Sequence, residues 1–346
     1  MGDKSAIEWT DATWNPVAGC NPISAGCDHC YALELHNRRH QAWKDGWSAA
    51  PAQYHQPFEG GVQLLPERLG LPLRWRTPRR IFVNSMSDLF HVDVPDSFVR
   101  RVFGVISLAG RHTFQILTKR PTRMAAFFAR AENSLAACQA EALVQGDLGT
   151  HAKDLAAING TGGGWPLPNV WLGTSVENQD AADKRIPALR STPAILRFLS
   201  CEPLLGSVAL SRLWVGTPCW RCGNTDGEVG RCYCGVQIKP EIHLVIAGGE
   251  SGKNARSMNP DWVRDLRDDC QDAGVAFFFK QWGEWLPFFR SRVDGEGRYI
   301  AADGRRVSVD DLMAHAHEIH EDHGIIRLGK KVTGRLLDGR EHNDLP

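Results

Sequence analysis

Six short apolar runs recur along the chain, at 80–84 (RIFVN), 114–118 (FQILT), 170–174 (VWLGT), 195–200 (ILRFLS), 243–247 (HLVIA) and 276–279 (AFFF). A strand with one face in water alternates apolar and polar residues, so near-continuous apolar character marks strands buried on both faces, as in parallel sheets. Amphipathic stretches at 96–108, 179–189 and 260–273 lie between the runs, and the last is closed by Gly274 immediately before a run. Repetition of strand then helix is the α/β signature. Six or seven such units predict a full or partial parallel (β/α) barrel rather than a doubly wound open sheet, and barrels carry their chemistry at the C-terminal ends of strands.

The residues just after each run are therefore the first candidates for a site. They are Asn84, Ser85, Ser87 and Asp88, then Lys119 and Arg120, then Ser175, Glu177 and Asn178, then Cys201 and Glu202, then Glu250 and Ser251, then Lys280 and Gln281. Together they predict a polar mouth on an apolar barrel. Cys201 and Glu202 are expected to face that mouth as candidate catalytic residues, the thiol as a hydrogen-atom donor; a small buried barrel residue is the other reading of Cys201.

The strand rhythm breaks twice. Residues 131–168 read as a helical insertion ending in a Gly-rich run at 160–164, and residues 214–240 read as a small metal knuckle. The barrel is expected over 1–290, with 291–346 a loop-rich C-terminal cap that carries Gly295, Gly297, Gly304, Gly329, Gly334 and Gly339. Within the cap, HAHEIHEDHG places His320 and His323 at helical spacing, which predicts a solvated amphipathic helix.

Forty basic and forty acidic residues cancel, which excludes a whole-molecule field drawing the chain onto nucleic acid or an anionic membrane. No apolar stretch of signal-peptide or membrane-spanning length is present, so a soluble, cytoplasmic protein with no membrane partner is expected. Twelve tryptophans suit a core first, although aromatic rings also stack on nucleobases.

In a reducing compartment, ten cysteines argue for metal rather than disulfides. Cys20, Cys27 and Cys30 form C-x6-C-x2-C among turn residues, including Gly19, Pro22 and Gly26. Three thiolates on a 4Fe-4S cube leave one iron open to another ligand. On spacing alone a zinc site completed by His29 or His36 is equally open. Cys219, Cys222, Cys232 and Cys234 form two tight pairs flanking a Gly-rich turn, which fits tetrahedral zinc, with a second iron-sulfur cluster as the alternative. Cys138 and Cys270 fall on expected helices without a near cysteine and read as core.

IEWTDATWNPVAGC followed by CDHCYA resembles the opening of a phage-associated and bacterial radical SAM-like family, much of it of undefined function. The likeness continues in order through FVNSMSDLFH, FQILTKRP, VWLGTSVEN, FLSCEPLLG, IAGGESG, FFFKQWGEW and GRLLDGREHNDLP. It implies a radical SAM barrel in which Cys20, Cys27 and Cys30 hold a 4Fe-4S cluster, with S-adenosylmethionine (SAM) on the open iron. It further implies reductive cleavage of SAM, driven by a partner such as flavodoxin or ferredoxin, to start radical chemistry on a substrate.

Under that resemblance Asn84, Ser85, Ser87 and Asp88 would hold the methionine part of SAM, unless they are an ordinary turn before the helix at Asp96. Lys119 or Arg120 would pair with its carboxylate. Ser175, Glu177 and Asn178 would reach its ribose, or else cap the helix that follows. Two departures stand out. His29 occupies the place before the third cysteine where an aromatic residue is usual, and the GGE at Gly248, Gly249 and Glu250 follows a much later strand than the family's GGE does.

Phage association and aromatic content suggest a nucleic acid or nucleotide as the substrate. Two other classes compete: a zinc-containing nucleic-acid-binding protein without redox activity, and an iron-sulfur protein that never binds SAM.

Overall fold

The computed structural model describes residues 5, 7–47, 49–154, 164–210, 241–293, 298–308, 310, 316–320 and 323–346. Two compact units emerge, one of Met1–Thr174 with Arg185–Arg197, the other of Ser175–Lys184 with Phe198–Pro346. Both carry parallel sheet with helices between the strands, so the fold is α/β.

The first unit runs β1 (Ala12–Trp14), β2 (Val17–Ala18), α1 (Tyr31–Lys44), β3 (Gln63–Leu64), α2 (Leu71–Arg74), β4 (Arg80–Val83), α3 (Asp96–Leu108), β5 (Thr113–Thr118), α4 (Pro121–Ala129), α5 (Leu135–Val144) and β6 (Val170–Ser175). Strands β1, β4, β5 and β6 pair in parallel and in chain order, while β2 and β3 form a separate antiparallel pair. The register places Trp14, Val83, Ile116 and Leu172 in one row and Thr13, Phe82, Gln115 and Trp171 in the next. Side chains alternate faces along a strand. The first row is wholly buried and apolar, whereas Thr13 and Trp171 in the second reach solvent. One face of this sheet is thus core and the other is partly open.

Helices α3 and α5 pack closely at Gly104, where a Cβ would meet the Cys138 carbonyl oxygen at 2.4 Å. A forked ion pair from Arg101 to Asp147, at 2.7 and 2.8 Å, joins α3 to the turn after α5. Residues 131–154 are largely helical as expected, and 155–163 lie outside the described residues.

Helix α6 (Gln179–Arg190) and strand β7 (Leu196–Cys201) straddle the division between the units. The second unit continues with β8 (Leu244–Gly248), α7 (Pro260–Ala273) and β9 (Ala276–Gln281), and β7, β8 and β9 again pair in parallel in chain order. The Asn259 side chain accepts from the Asp261 N–H at 2.9 Å to start α7, and Gly274 ends it in the left-handed region at φ 69°. The C-terminal tail lines the free edge of β9: the Phe279 N–H donates to the His342 carbonyl at 3.0 Å, and the Trp282 indole N–H to the Leu336 carbonyl at 2.8 Å. An edge covered in this way offers fewer open backbone groups to another chain.

Two expectations for the C-terminal region are corrected. In place of a loop-rich cap, β10 (Trp285–Val293), β11 (Tyr299–Ala301), β12 (Arg306–Val307), β13 (Ala316–His320) and β14 (His323–Arg327) form an antiparallel sheet in the order β12-β11-β10-β14-β13, followed by the short α8 (Lys330–Thr333). The histidine-rich segment is a hairpin, not a helix. His320 and His323 are register partners on antiparallel strands, so their spacing is not a helical repeat. The knuckle expected at 214–240, with Cys219, Cys222, Cys232 and Cys234, lies outside the described residues.

Candidate functional site

The three early cysteines occupy the βα connection that follows β1. Gly19, at φ 85°, lets the chain approach the 58–61 segment so closely that a Cβ would meet the Gly61 carbonyl oxygen at 2.5 Å. It also bridges to Ser87, and the Cys20 N–H donates to the Phe58 carbonyl at 3.4 Å. The loop then makes one tight turn, Ala25–Cys27, and Cys30 stands at the N-cap of α1. All three thiols are free and half-buried. Burial pushes the Cys20 thiol above its ordinary value, with Arg120 acting against it.

Helix α1 is fixed beneath this loop by two buried histidines. His36 Nε2 donates to the Gln56 carbonyl at 2.9 Å, and His40 Nδ1 to the Tyr54 carbonyl at 2.7 Å. Burial keeps His36 below its ordinary pKa, consistent with a neutral ring held by that bond. His36 is therefore placed as a strut of α1 rather than as a partner of the cysteines.

At the end of β4 the chain turns sharply through Asn84, a non-glycine residue at φ 59°. The turn is built by its neighbours: Asn15 Oδ1 accepts from the Ser85 hydroxyl at 3.2 Å and the Met86 N–H at 3.1 Å, and the Ser87 hydroxyl donates to the Val17 carbonyl at 2.8 Å. The Tyr31 hydroxyl, just past Cys30, donates to the Ser85 carbonyl at 2.5 Å.

Asp88 is more heavily engaged. Its buried carboxylate accepts from the Thr118 hydroxyl at 2.7 Å, the Phe90 N–H at 2.9 Å, the Lys119 N–H at 3.1 Å and Arg120 Nη1 at 3.0 Å. Ser85, Ser87 and Asp88 thus serve the turn itself. Asn84 differs: it is 3% exposed, and neither Nδ2 nor Oδ1 finds a partner among the described residues. A buried polar group left unpaired costs about 1–3 kcal/mol, and a left-handed non-glycine residue adds strain, a combination typical of sites that await a ligand.

Arg120, at the end of β5, lies across the cysteine loop. Its Nη1 reaches Cys20 Sγ at 3.6 Å as well as Asp88, and its Nη2 donates to the Asn21 carbonyl at 3.0 Å. Although burial works against it, Asp88 and Cys20 hold the guanidinium above its ordinary pKa. Arg120 is committed to the loop and Asp88, so its expected pairing with a SAM carboxylate would have to share those bonds. The first unit therefore joins Cys20, Asn21, Asp88 and Arg120 in one network, with Asn84 four residues before Asp88 at the end of β4.

In the second unit Asn178 Oδ1 accepts from the Ala181 N–H at 3.0 Å, capping the helix as one of the two readings had it. Ser175 and Glu177 are buried, and the Glu177 carbonyl accepts from the Leu205 N–H at 2.7 Å. Glu202 pairs with Lys280 at 3.0 Å, so these two share one face of the sheet.

The expectation that Cys201 faces a mouth is corrected. It is fully buried on the opposite face from Glu202, near Cys270 of α7, whose thiol is raised first by burial and then by the charge of Cys201. Burial likewise pushes the Cys201 thiol far above its ordinary value, with Glu202 and Glu177 adding to the effect. A parity of one residue along the strand decides this, and it places the thiol in the packing beneath α7.

Glu250 of the GGE segment is held by Arg256 in a two-pronged pair, Nη2 to Oε1 at 2.7 Å and Nε to Oε2 at 2.9 Å, with the Arg256 N–H adding 2.8 Å to Oε2. Gly249 is required by packing, since a Cβ there would meet the Trp282 carbonyl oxygen at 1.9 Å. Gln281 Nε2 donates to the Ser251 hydroxyl at 2.9 Å.

A model of a family described as a protein of unknown function (DUF5131) matches residues 4–346. The chain belongs to that family. No curated protein and no solved structure matches it. No helix among the described residues is long and apolar enough to cross a membrane.

For this member of the family the donor chemistry of the first site fits a thiolate-held metal: three free thiols sit on one loop that an arginine already approaches. Among the described residues no three His, Cys, Asp or Glu side chains converge at metal-ligand distances. The Asp88–Arg120 contact spans 32 residues, and the roles of Asn15 and Tyr31 likewise depend on strand pairing. No local motif announces any of them; the nearest signal is that the segments around Asn15, Asp88 and Arg120 all end strands.

Proposed function

We propose that this chain is a radical SAM enzyme in which Cys20, Cys27 and Cys30 hold a 4Fe-4S cluster and Asn84 binds the methionine end of SAM. The observation that carries the reading is the meeting, at adjacent strand ends, of a loop with three free thiols and a buried amide whose donor and acceptor are both unspent. Such a cluster, once reduced by a one-electron partner, supplies the electron that cleaves the sulfonium bond of SAM. The chain's own residues would supply the rest. An asparagine amide offers an N–H donor to a carboxylate and a carbonyl acceptor to an ammonium, the two charged groups at the amino-acid end of SAM. The four late cysteines would hold structural zinc. The substrate proposed is a nucleic acid or nucleotide, on the phage association of the family resembled and on the aromatic content of the chain.

The decisive experiment is anaerobic reconstitution with iron and sulfide, then incubation with SAM and dithionite and chromatography for 5'-deoxyadenosine. The wild type should release 5'-deoxyadenosine and methionine, and the variant with alanine at Cys20, Cys27 and Cys30 should release neither and lose the cluster's absorbance near roughly 400 nm. A colourless wild type that retains zinc at the early cysteines would overturn the reading.

A further inference from the structure

We infer that Asp88 and Arg120 form a buried strut that fixes the Cys20 end of the loop, making Arg120 a positioning residue that raises the reduction potential of the cluster proposed there. The inference rests on that proposal but makes a separate claim about residues that never touch the substrate.

Three observations support it. Arg120 is nearly enclosed, its side chain 14% exposed and that of Asp88 8%, so the pair is shielded from the solvent that weakens surface ion pairs. The Asp88 carboxylate is aimed by donors that do not move independently: the Thr118 hydroxyl and the Lys119 N–H at the end of β5, and the Phe90 N–H in its own turn. And the guanidinium divides its two terminal nitrogens between the sulfur of Cys20 and the carbonyl of Asn21, thereby gripping the loop at consecutive residues.

A planar fork can make those contacts at once, whereas a lysine ammonium on its flexible stem cannot reproduce them. Hydrogen bonds and positive charge at a ligating sulfur stabilise the reduced, more negative state of an iron-sulfur cluster, and second-shell partners orient the ligand itself. Asp88 therefore acts through Arg120, and Arg120 through Cys20.

The test is a potentiometric titration of the reconstituted full-length protein, followed by absorbance and electron paramagnetic resonance, with iron and sulfide content measured in parallel. Arg120→Gln should shift the midpoint potential to more negative values at wild-type iron content. Arg120→Lys, which keeps the positive charge but loses the fork that grips Cys20 and Asn21 together, should shift it the same way by less. Arg123→Gln, on the helix that starts after Arg120 but paired with Asp96, should leave it where it is.

If Arg120→Gln fails to load iron, Arg120→Lys decides, and it should lie below the wild type. Wild-type potentials in every variant that loads iron would overturn the strut. A wild type that takes up no iron-sulfur cluster would instead overturn the proposed function, and the inference with it.

Discussion

The strand ends of the two units use charge in opposite ways. In the second unit two carboxylates that follow strands are closed on near partners: Glu202 on Lys280 at 3.0 Å, and Glu250 on Arg256, whose backbone and side chain both bind it. In the first unit the Asp88–Arg120 pair is equally buried, yet its cationic end continues outward to a sulfur and a loop carbonyl, and the neighbouring Asn84 amide is left unpaired. A closed pair explains itself as architecture. An open network with an orphan amide does not, because folding alone would be better served by glycine at this left-handed position, which buries no amide. Under the proposed function the contrast puts the chemistry in the first unit and makes the second a scaffold, a division that can be broken by experiment.

The largest effect should come from Arg256→Ala. Glu250 is 5% exposed, so removing its partner leaves a buried carboxylate with the Arg256 N–H as its remaining donor to Oε2. Breaking such a pair costs about 3 kcal/mol, measurable by urea denaturation. SAM cleavage per folded molecule should be unchanged. A variant that kept its stability but lost SAM cleavage would move Glu250 from scaffold to site and undo the comparison.

Asn84→Gly should do the reverse at smaller amplitude. It relieves a left-handed non-glycine backbone and removes an unpaired amide, so stability should hold or rise by up to about 1 kcal/mol. SAM affinity, read by equilibrium binding to the reconstituted protein, should fall about thirtyfold, for two lost hydrogen bonds of about 1 kcal/mol each. Loss of stability with unchanged affinity would make Asn84 an architectural residue and leave the first unit without its ligand-binding feature.

How much of this could be read from the sequence depended on whether the cause was local. The apolar runs at 80–84, 114–118, 170–174, 195–200, 243–247 and 276–279 became β4 to β9 with ends displaced by at most two residues, and the helices expected at 96–108 and 260–273 have those bounds. Burial on both faces writes itself into consecutive residues, so it survives reading along the chain. The three-residue β1 was too short to show a period, and its place is set by pairing with β4. The hairpin of β13 and β14 was hidden because His320 and His323 satisfy a helical spacing as well as a turn.

At the site, the residue types at the strand ends were legible but their directions were not. Ser85, Ser87 and Asp88 looked as free as Asn84 until the partners from distant segments were in place. Cys201 was misjudged by one position, the parity that separates the face of Glu202 from the face packed under α7. Parity at a strand end follows from register, and register is a property of two strands rather than one.

The smallest expected effect lies in the C-terminal tail and sharpens the scaffold side of the comparison. Asp338, at φ 52°, accepts from Arg264 Nη2 and Arg267 Nη1, both at 2.7 Å, so that two residues of α7 hold the turn from which the chain continues to the edge of β9. Burial alone would raise this carboxyl, but the hydrogen bonds from Arg264 and Arg267 outweigh it and set its pKa below the ordinary value. A carboxyl lowered in the folded state contributes stability that is fully present above its unfolded pKa of about 3.9 and disappears as pH falls through the folded value. Asp338→Asn tolerates the same backbone conformation and removes only the charge. The gap between the urea midpoints of wild type and variant should therefore be constant from neutral pH down to about 5 and close below about 4. Since Asp338 is more than a third exposed, that gap should be under about 1 kcal/mol. A gap that persisted unchanged at pH 3 would mean that the carboxylate is not what fastens the tail, and the closed ion pairs of the second unit would no longer form a consistent set.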